Sequence, residues 1–378
     1  MRRHVTSTRS DWQERVESQG LHFHTPDGQT YWDEMAYYDF SSSEIDTLER
    51  ATYELQDLCL KAVEHVVSNN QFDRFGVPPE YVDYLKQSWE RDELTVYGRF
   101  DLAYDGRSPP KLLEYNADTP TALLEASVIQ WQWLEDTHPD ADQFNSIHEK
   151  LIEFWPRLGS ATQGPVHFCS QRGHVEDFMT ANYLRDTAIQ AGQETVYLAV
   201  EDIGWNHLRK AFVDLDERPI RTAFKLYPWE WMFKEQFGPR LLECPIRWLE
   251  APWKVLLSNK TILAVLWDMF PECPYLLPTY MEAKTDSYVA KPVQGREGAN
   301  VLVVRNGQIE VETDGDYGDL PCVYQRLAPV PDFDGNHPIV GSWMVNGYAC
   351  GMGIREDSGL VTRNTSRFVP HLFTAGGG

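Results

Sequence analysis

Apolar side chains recur at helical spacing across residues 44–69, at Ile45, Leu48, Tyr53, Leu55, Leu58, Leu60, Val63 and Val66, and predict one long helix. A shorter helix is expected over residues 80–89. The pattern then changes to extended runs at residues 96–103 and 111–115. They flank Asp105-Gly106-Arg107-Ser108-Pro109-Pro110, whose composition is that of a turn, so the two runs predict a β-hairpin. Thr119-Pro120-Thr121 is expected to open a helix reaching to about Glu135. Thr119 would cap it, and Pro120 would take the first helical position, where its missing N–H costs nothing.

In the middle of the chain, residues 166–170 are a short apolar run, residues 175–191 a helical pattern closed by Gly192, and residues 195–200 a second apolar run. A strand, a helix and a strand of these lengths make a parallel βαβ unit. Ser258 is expected to cap a short helix holding Lys260, Leu263, Leu266 and Trp267. Six strand-like runs follow, at 289–293, 301–305, 308–311, 322–327, 339–345 and 348–354. Asn306-Gly307 and Asn346-Gly347 lie between such runs, and Asn-Gly suits a tight hairpin turn because both central residues need positive φ. This last third predicts a mostly antiparallel sheet.

Length and composition narrow the class. The 378 residues allow two or three structural units or one multi-lobed enzyme domain. With 42% hydrophobic and 24% charged residues the chain is not disordered as a whole. Its 57 acidic against 34 basic residues give a formal charge of −23, which argues against nucleic acid as a partner. The acidity is compatible with a cationic substrate such as a polyamine, but acidity also simply keeps proteins soluble, which is the more ordinary reading. Six cysteines, none in a CxxC pair, read as thiols of a reducing compartment, so a cytoplasmic protein is expected. Met1-Arg2-Arg3-His4 is followed by no apolar stretch, and no run approaches 18 apolar residues, so neither a signal peptide nor a membrane span is expected.

Four groups of residues carry candidate chemistry. On the predicted hairpin, alternation puts Arg99 and Asp101 on one face and Glu114 and Asn116 on one face. If the strands pair, three oxygen donors converge beside an arginine, as a Mg²⁺ site next to phosphate would need; the same pattern also describes a half-exposed hairpin with its polar side outward. The segment KPVQGREGAN (291–300) lies between two strands, where it is either a glycine-bearing loop that folds over phosphates or an ordinary hairpin loop. Lys260 and Lys291 could together neutralise a polyphosphate, or be solvated surface lysines. Arg355, at the end of a strand, faces either a site or solvent. A GxSxG elbow, an HExxH and a GxGxxG are all missing.

Taken in order, Arg99-Phe100-Asp101, LLEYNADTPTALLEA (112–126), SNK (258–260), KPVQGREGAN (291–300), Tyr324-Gln325, Gly341-Ser342-Trp343, GIRED (353–357) and SRFVPH (366–371) resemble the glutathionylspermidine synthase family, an ATP-grasp group of carboxylate–amine ligases. The resemblance runs from about Trp12 onward and is to the short members named acid–amine ligases. It implies an α/β (α+β) ATP-grasp fold with a Rossmann-like pre-ATP-grasp βαβ portion. It also implies one ligase domain over residues 1–378, with approximate lobes at 1–95, 96–160, 161–255 and 256–378. The bifunctional members carry an amidase domain in front, and none is expected here.

The resemblance also implies roles. Asp101, Glu114 and Asn116 match magnesium ligands. Arg99 matches a residue that contacts nucleotide phosphate and stabilises the transition state, and Arg355 a second active-site arginine. Lys260 and Lys291 match ATP-binding lysines. Glu297 and Gly298 lie in the loop over the phosphates, Gln325 to Ala328 in the stretch joining the halves of the nucleotide pocket, and Leu360 in a later ATP-contacting segment. Thr119 and Thr121 stand where the bifunctional synthetases use serines near glutathione, at an expected helix N-terminus suited to a carboxylate. Glu176 and Asp177 match an acidic pair near peptide and polyamine. Leu226 replaces a family threonine at the peptide site, which counts against glutathione as the acid. The implied activity is ATP- and Mg²⁺-dependent joining of a small peptide-like acid to an amine, with a nucleotide-binding or regulatory ATPase on the same fold as the alternative.

Overall fold

The computed structural model describes residues 1–161 and 164–374. Its long amphipathic helix, Ser42–Ser68, starts at a capping box: the Ser41 hydroxyl accepts from the Glu44 N–H, and the Ser41 N–H donates to the Glu44 carboxylate at 2.8 Å. Ile45, Leu48, Leu55, Val63 and Val66 are buried along one side. That side packs on the helix Thr261–Met269 and on a central five-stranded sheet, to which Thr52 is also hydrogen-bonded through Ser342 at 2.7 Å.

The central sheet is antiparallel, in the spatial order Arg367–Val369, Tyr348–Asp357, His337–Val345, Tyr97–Ala103 and Lys111–Asn116. Its edge is the predicted hairpin. A second antiparallel sheet has the order Thr279–Tyr280, Cys322–Gln325, Tyr288–Pro292, Leu302–Arg305 and Gln308–Glu312. The strands of the last third therefore do not form one sheet, as the pattern alone suggested. After Gln325 the chain leaves the second sheet, and residues 337–369 complete the sheet begun by the hairpin two hundred residues earlier. Both Asn-Gly turns form as expected, with positive φ at Asn306, Gly307, Asn346 and Gly347.

The expected βαβ unit is present. Val166–Ser170 and Thr195–Ala199 pair in parallel, joined by the helix Val175–Gln190, and Thr222–Leu226 and Arg247–Leu249 extend the sheet on the other side. Every residue of Val166–Ser170 and Thr222–Leu226 is buried, as suits parallel strands covered on both faces. Arg2–Val5, Ala36–Ser41 and His371–Thr374 form a small sheet that ties the two ends of the described chain together. Among the described residues no helix is long and apolar enough to cross a membrane.

Two helix starts differ from expectation. The helix after the hairpin begins at Leu123 rather than at Thr119, passes through a π-turn at Glu125–Ile129 and continues as Gln130–Thr137. Ala122 has a φ of 62°, which breaks helical geometry, and the preceding carbonyls are engaged elsewhere: Pro120 accepts from the Tyr97 hydroxyl and Thr121 from Arg99. Thr119 and Pro120 thus belong to an irregular turn and do not open the helix. At the second start the Ser258 hydroxyl caps nothing; the Asn259 side chain accepts from the Thr261 N–H at 2.9 Å instead.

Candidate active site

The hairpin register sets Arg99 opposite Asn116 and Asp101 opposite Glu114, so all four side chains share one face. That face is not turned to bulk water. Arg99 and Asp101 are 6% and 3% exposed. Arg99 grips Asp101 with two bonds, Nε to Oδ1 at 2.7 Å and Nη2 to Oδ2 at 3.1 Å, a planar fork on a carboxylate. Its third nitrogen, Nη1, donates to the Thr121 carbonyl at 2.6 Å. Gly341 on the neighbouring strand makes this possible: a Cβ there would lie 2.8 Å from the Arg99 Cδ. Arg355 reaches over from Tyr348–Asp357 and donates to Asp101 Oδ2 at 3.0 Å. The Asn116 amide bridges the two carboxylates, at 3.1 Å from Asp101 and 3.2 Å from Glu114.

The second sheet supplies the opposing wall. Lys291 donates to Gln325 Oε1 at 2.8 Å and to the Leu113 carbonyl at 2.9 Å, while the Gln325 amide donates to the Leu112 carbonyl at 3.1 Å. Lys260, just before the helix Thr261–Met269, sits 3.1 Å from the Glu114 carboxylate and 2.6 Å from the Gly295 carbonyl. Burial disfavours the Glu114 charge, yet Lys260 and Lys291 outweigh it and hold the carboxyl well below the usual range. Burial pulls the Lys291 ammonium down to about 8; Glu114 opposes the fall and Lys260 adds to it. The loop after Lys291 carries positive φ at Glu297 and Gly298. A Cβ at Gly298 would stand 2.5 Å from the Thr362 carbonyl oxygen, so this loop lies directly on the segment that follows Leu360.

Between these walls is a cleft of about 670 Å³, and every candidate site residue named from the sequence borders it. Val289, Val301, Val303, Leu327 and Ile339 give it an apolar recess beside Gln325 and Leu360. A second group gathers where the parallel strands end. Glu176 and Asp177 occupy the first turn of Val175–Gln190, and both border the cleft beside Thr121. Burial pushes the Glu176 carboxyl up to about 8, with Glu125, Asp177 and Glu297 adding and Thr121 opposing. Burial also lifts Asp177 to about 6, against the pull of His174 and Arg296.

Several cleft residues had no role in the sequence reading. Arg296 donates to the Thr119 hydroxyl at 2.6 Å and to Glu230 at 2.9 Å, and its guanidinium stands over the Trp231 ring at 5.6 Å. It thereby fastens the loop across the cleft to the segment after Leu226. Its one signal was its place inside the glycine-bearing segment. Below the same turn, buried Lys225 donates to Asp118 at 2.5 Å, and Asp118 also accepts from the Trp229 N–H at 3.0 Å. Neither residue stands out in sequence, because isolated charges look like surface.

Among the described residues no three His, Cys, Asp or Glu side chains gather as a metal site. Asp101, Glu114 and Asn116 are a mixed set of two carboxylates and one amide. They fit a small hard cation: all three offer oxygens on one face, and turning over the Asn116 amide exchanges its nitrogen for an oxygen toward the carboxylates.

The fold has a counterpart among solved structures. Over 98% of this chain and 100% of the other, the structure matches a glutathione synthetase-like effector, GSS30 of Globodera pallida in its apo form, with a TM-score of 0.58 at 9% sequence identity. The chain belongs to the glutathionylspermidine synthase preATP-grasp family, which it matches over residues 3–374. It is 41% identical to a Haemophilus influenzae protein carrying the provisional name acid–amine ligase, across 97% of this chain and 98% of that one. It is 28% identical to the trypanothione synthetase of Crithidia fasciculata and to the bifunctional glutathionylspermidine synthetase/amidase of Escherichia coli K12. The matches cover 53% and 58% of those two longer proteins, little more than half of each.

Proposed function

We propose that this chain is an ATP-dependent ligase that joins a carboxylic acid to an amine through an acyl phosphate. The observation that carries this reading is the charge arrangement in the cleft. Arg99, Arg355, Lys260 and Lys291 surround two carboxylates and one amide, in a cleft that Val289, Val301, Val303, Leu327 and Ile339 also line. Four cations against two anions leave a net positive pocket in a chain of charge −23, as a bound polyphosphate needs.

In this reading Lys260 and Lys291 hold the phosphates from the side of the second sheet, and the 293–300 loop covers them. Asp101, Glu114 and Asn116 would hold Mg²⁺, which would supply charge neutralisation to the transferring phosphate. Arg99 and Arg355 face the γ-phosphoryl group as a substrate carboxylate oxygen attacks it and ADP leaves. The amine then attacks the acyl carbon and phosphate departs, giving the amide. The chain supplies position and preorganised charge, so no covalent nucleophile is required. The acid lies by Thr119, Thr121 and Arg296, and the amine by Glu176 and Asp177. The names of the relatives, glutathionylspermidine and trypanothione synthetases, support a peptide-like acid and a polyamine-like amine. Leu226 and Trp231 give the acid end an apolar wall.

The test is phosphate release from Mg-ATP over a matrix of small acids and amines, with mass spectrometry of the products. The ligase reading expects ADP, phosphate and an amide, each dependent on both acid and amine. Phosphate release without an amide would make the protein an ATPase, and nucleotide binding without turnover a binding module.

A further inference from the structure

Amide formation from an alkylamine requires a proton to be removed first. At neutral pH such an amine arrives as its ammonium, with a pKa of about 10.4 for a lysine-like group, and an ammonium has no lone pair to attack with. Resting on the ligase reading above, we propose that Glu176 is the general base that deprotonates the attacking amine.

Geometry singles this carboxylate out. Glu176 borders the cleft from the first turn of Val175–Gln190, where the parallel strands Val166–Ser170 and Thr222–Leu226 end. Ligands of parallel α/β sheets bind at that edge. It lines the cleft beside Thr121, whose side chain favours its charged form, and the Thr121 carbonyl accepts from Arg99 Nη1 at 2.6 Å. A single residue therefore links Glu176 to the arginine that faces the phosphoryl group, where the acyl phosphate forms.

The surroundings suit a base rather than a simple anchor. The charged groups bearing on Glu176 are acidic: Glu125 on the π-turn, Asp177 on its own helix and Glu297 on the loop. Tyr31 also faces it, with its hydroxyl donated to Glu125 at 2.8 Å. With burial the largest cause, its carboxyl is pushed up to about 8, so it holds its proton at neutral pH and, once it has released it to solvent, takes one from the amine more readily than an ordinary carboxylate would. Asp177 differs, because His174 and Arg296 lie on its side and favour its charged form. That carboxylate suits holding the ammonium while its neighbour takes the proton.

The step balances. The Glu176 carboxylate takes one proton from the ammonium. The freed lone pair forms the C–N bond to the acyl carbon. The C–O bond to phosphate breaks, and its electron pair leaves with the phosphate. The second N–H proton goes to that phosphate, which departs as the monohydrogen ion, and Glu176 returns its proton to solvent.

The test compares two acceptors of the acyl group, ethylamine, which is an ammonium at pH 7, and hydroxylamine, which is already neutral there. The acid is one that gives amine-dependent phosphate release in the matrix above. In Glu176→Gln the ratio of amide to hydroxamate formation is expected to fall about 10²- to 10⁴-fold, the usual worth of a general base. The wild-type rate with ethylamine should level off above about pH 8, whereas the variant should keep climbing toward the pKa of the amine. Hydroxamate formed by the variant also shows that it folds and still activates the acid. Glu176→Asp, which withdraws the carboxylate by one methylene, should give an intermediate ratio. An unchanged ratio with a raised KM for ethylamine would make Glu176 an anchor and overturn the proposal while leaving the ligase intact. No hydroxamate from the wild type would instead overturn the acyl-phosphate reading, and the base with it.

Discussion

Arg99 is held by three independent contacts: the two-pronged pair with Asp101, the bond to the Thr121 carbonyl, and the Trp343 ring 5.6 Å from its guanidinium carbon. A side chain fixed this firmly is preorganised for charge that develops during reaction, and removing one such donor typically costs about 10²–10³ in rate. Arg99→Ala is therefore expected to lower kcat by that order while ATP affinity falls much less; Arg99→Lys should rescue poorly, because an ammonium cannot reproduce the planar fork. Steady-state phosphate release beside direct nucleotide titration reads both quantities. An intact kcat with weakened ATP binding would reduce Arg99 to a binding residue. Alternation along two strands joined by a turn made the convergence of Arg99, Asp101, Glu114 and Asn116 one of two arrangements open to the sequence; the register and the burial of Arg99 and Asp101 decide for it over an outward polar face. Arg296 was not legible in the sequence, because its partners Thr119 and Glu230 are 177 and 66 residues away.

At the scale of elements, the loop over the cleft and the turn beneath it depend on local conformations that propensity does not reveal. Gly298 has a φ of 70°, and a Cβ there would stand 2.5 Å from the Thr362 carbonyl oxygen. Gly298→Ala adds a clash and a left-handed alanine, each a source of strain of about 1–3 kcal/mol. The loop should then lift off residues 360–362, and the nucleotide dissociation constant should rise roughly tenfold, since about 1.4 kcal/mol is a factor of ten. Hydrogen exchange over residues 294–300 should slow on adding Mg-ATP to the wild type and slow less in the variant. Equal protection in both would separate this loop from the nucleotide. The turn at 117–122 shows why one expected helix start failed: Thr119-Pro120 reads as a cap, but bonds from Tyr97 and Arg99 draw its carbonyls out of helical register. The Lys225–Asp118 pair anchors the same turn. Burial pulls the Lys225 ammonium down even with Asp118 beside it. Lys225→Met would leave Asp118 buried without its cation, a loss of about 3–5 kcal/mol, visible as a lower midpoint in chemical denaturation. A midpoint within error of the wild type would show that the turn stands without the pair.

Over the whole molecule, most individual elements were readable but their assembly was not. The long helix, the hairpin, the βαβ unit and both Asn-Gly turns follow from spacing and turn chemistry. That the strand His337–Val345 pairs with residues 97–103, and brings Tyr348–Asp357 in beside it, rather than joining the strands just before, is a long-range choice, made by burying Phe100, Leu102, Val340, Met352 and Ile354 in one core with the long helix. This choice is also what builds the site, because it carries Arg355 to Asp101 across 254 residues of chain. Glu114 then meets lysines from two further segments, Lys260 and Lys291. Its carboxylate has two duties in the proposed ligase: it balances two lysines and offers an oxygen to Mg²⁺. Glu114→Gln separates them. Taking away one negative charge makes the cleft more positive, so metal-free ATP should bind at least as tightly as in the wild type. Metal affinity should fall, since losing even a residue that supports a ligand costs about 10–100-fold. The Mg²⁺ concentration for half-maximal phosphate release is thus expected to rise at least about tenfold in Glu114→Gln, with metal-free ATP affinity undiminished. An unchanged Mg²⁺ titration would remove Glu114 from the metal site and leave it as a counter-ion for the two lysines.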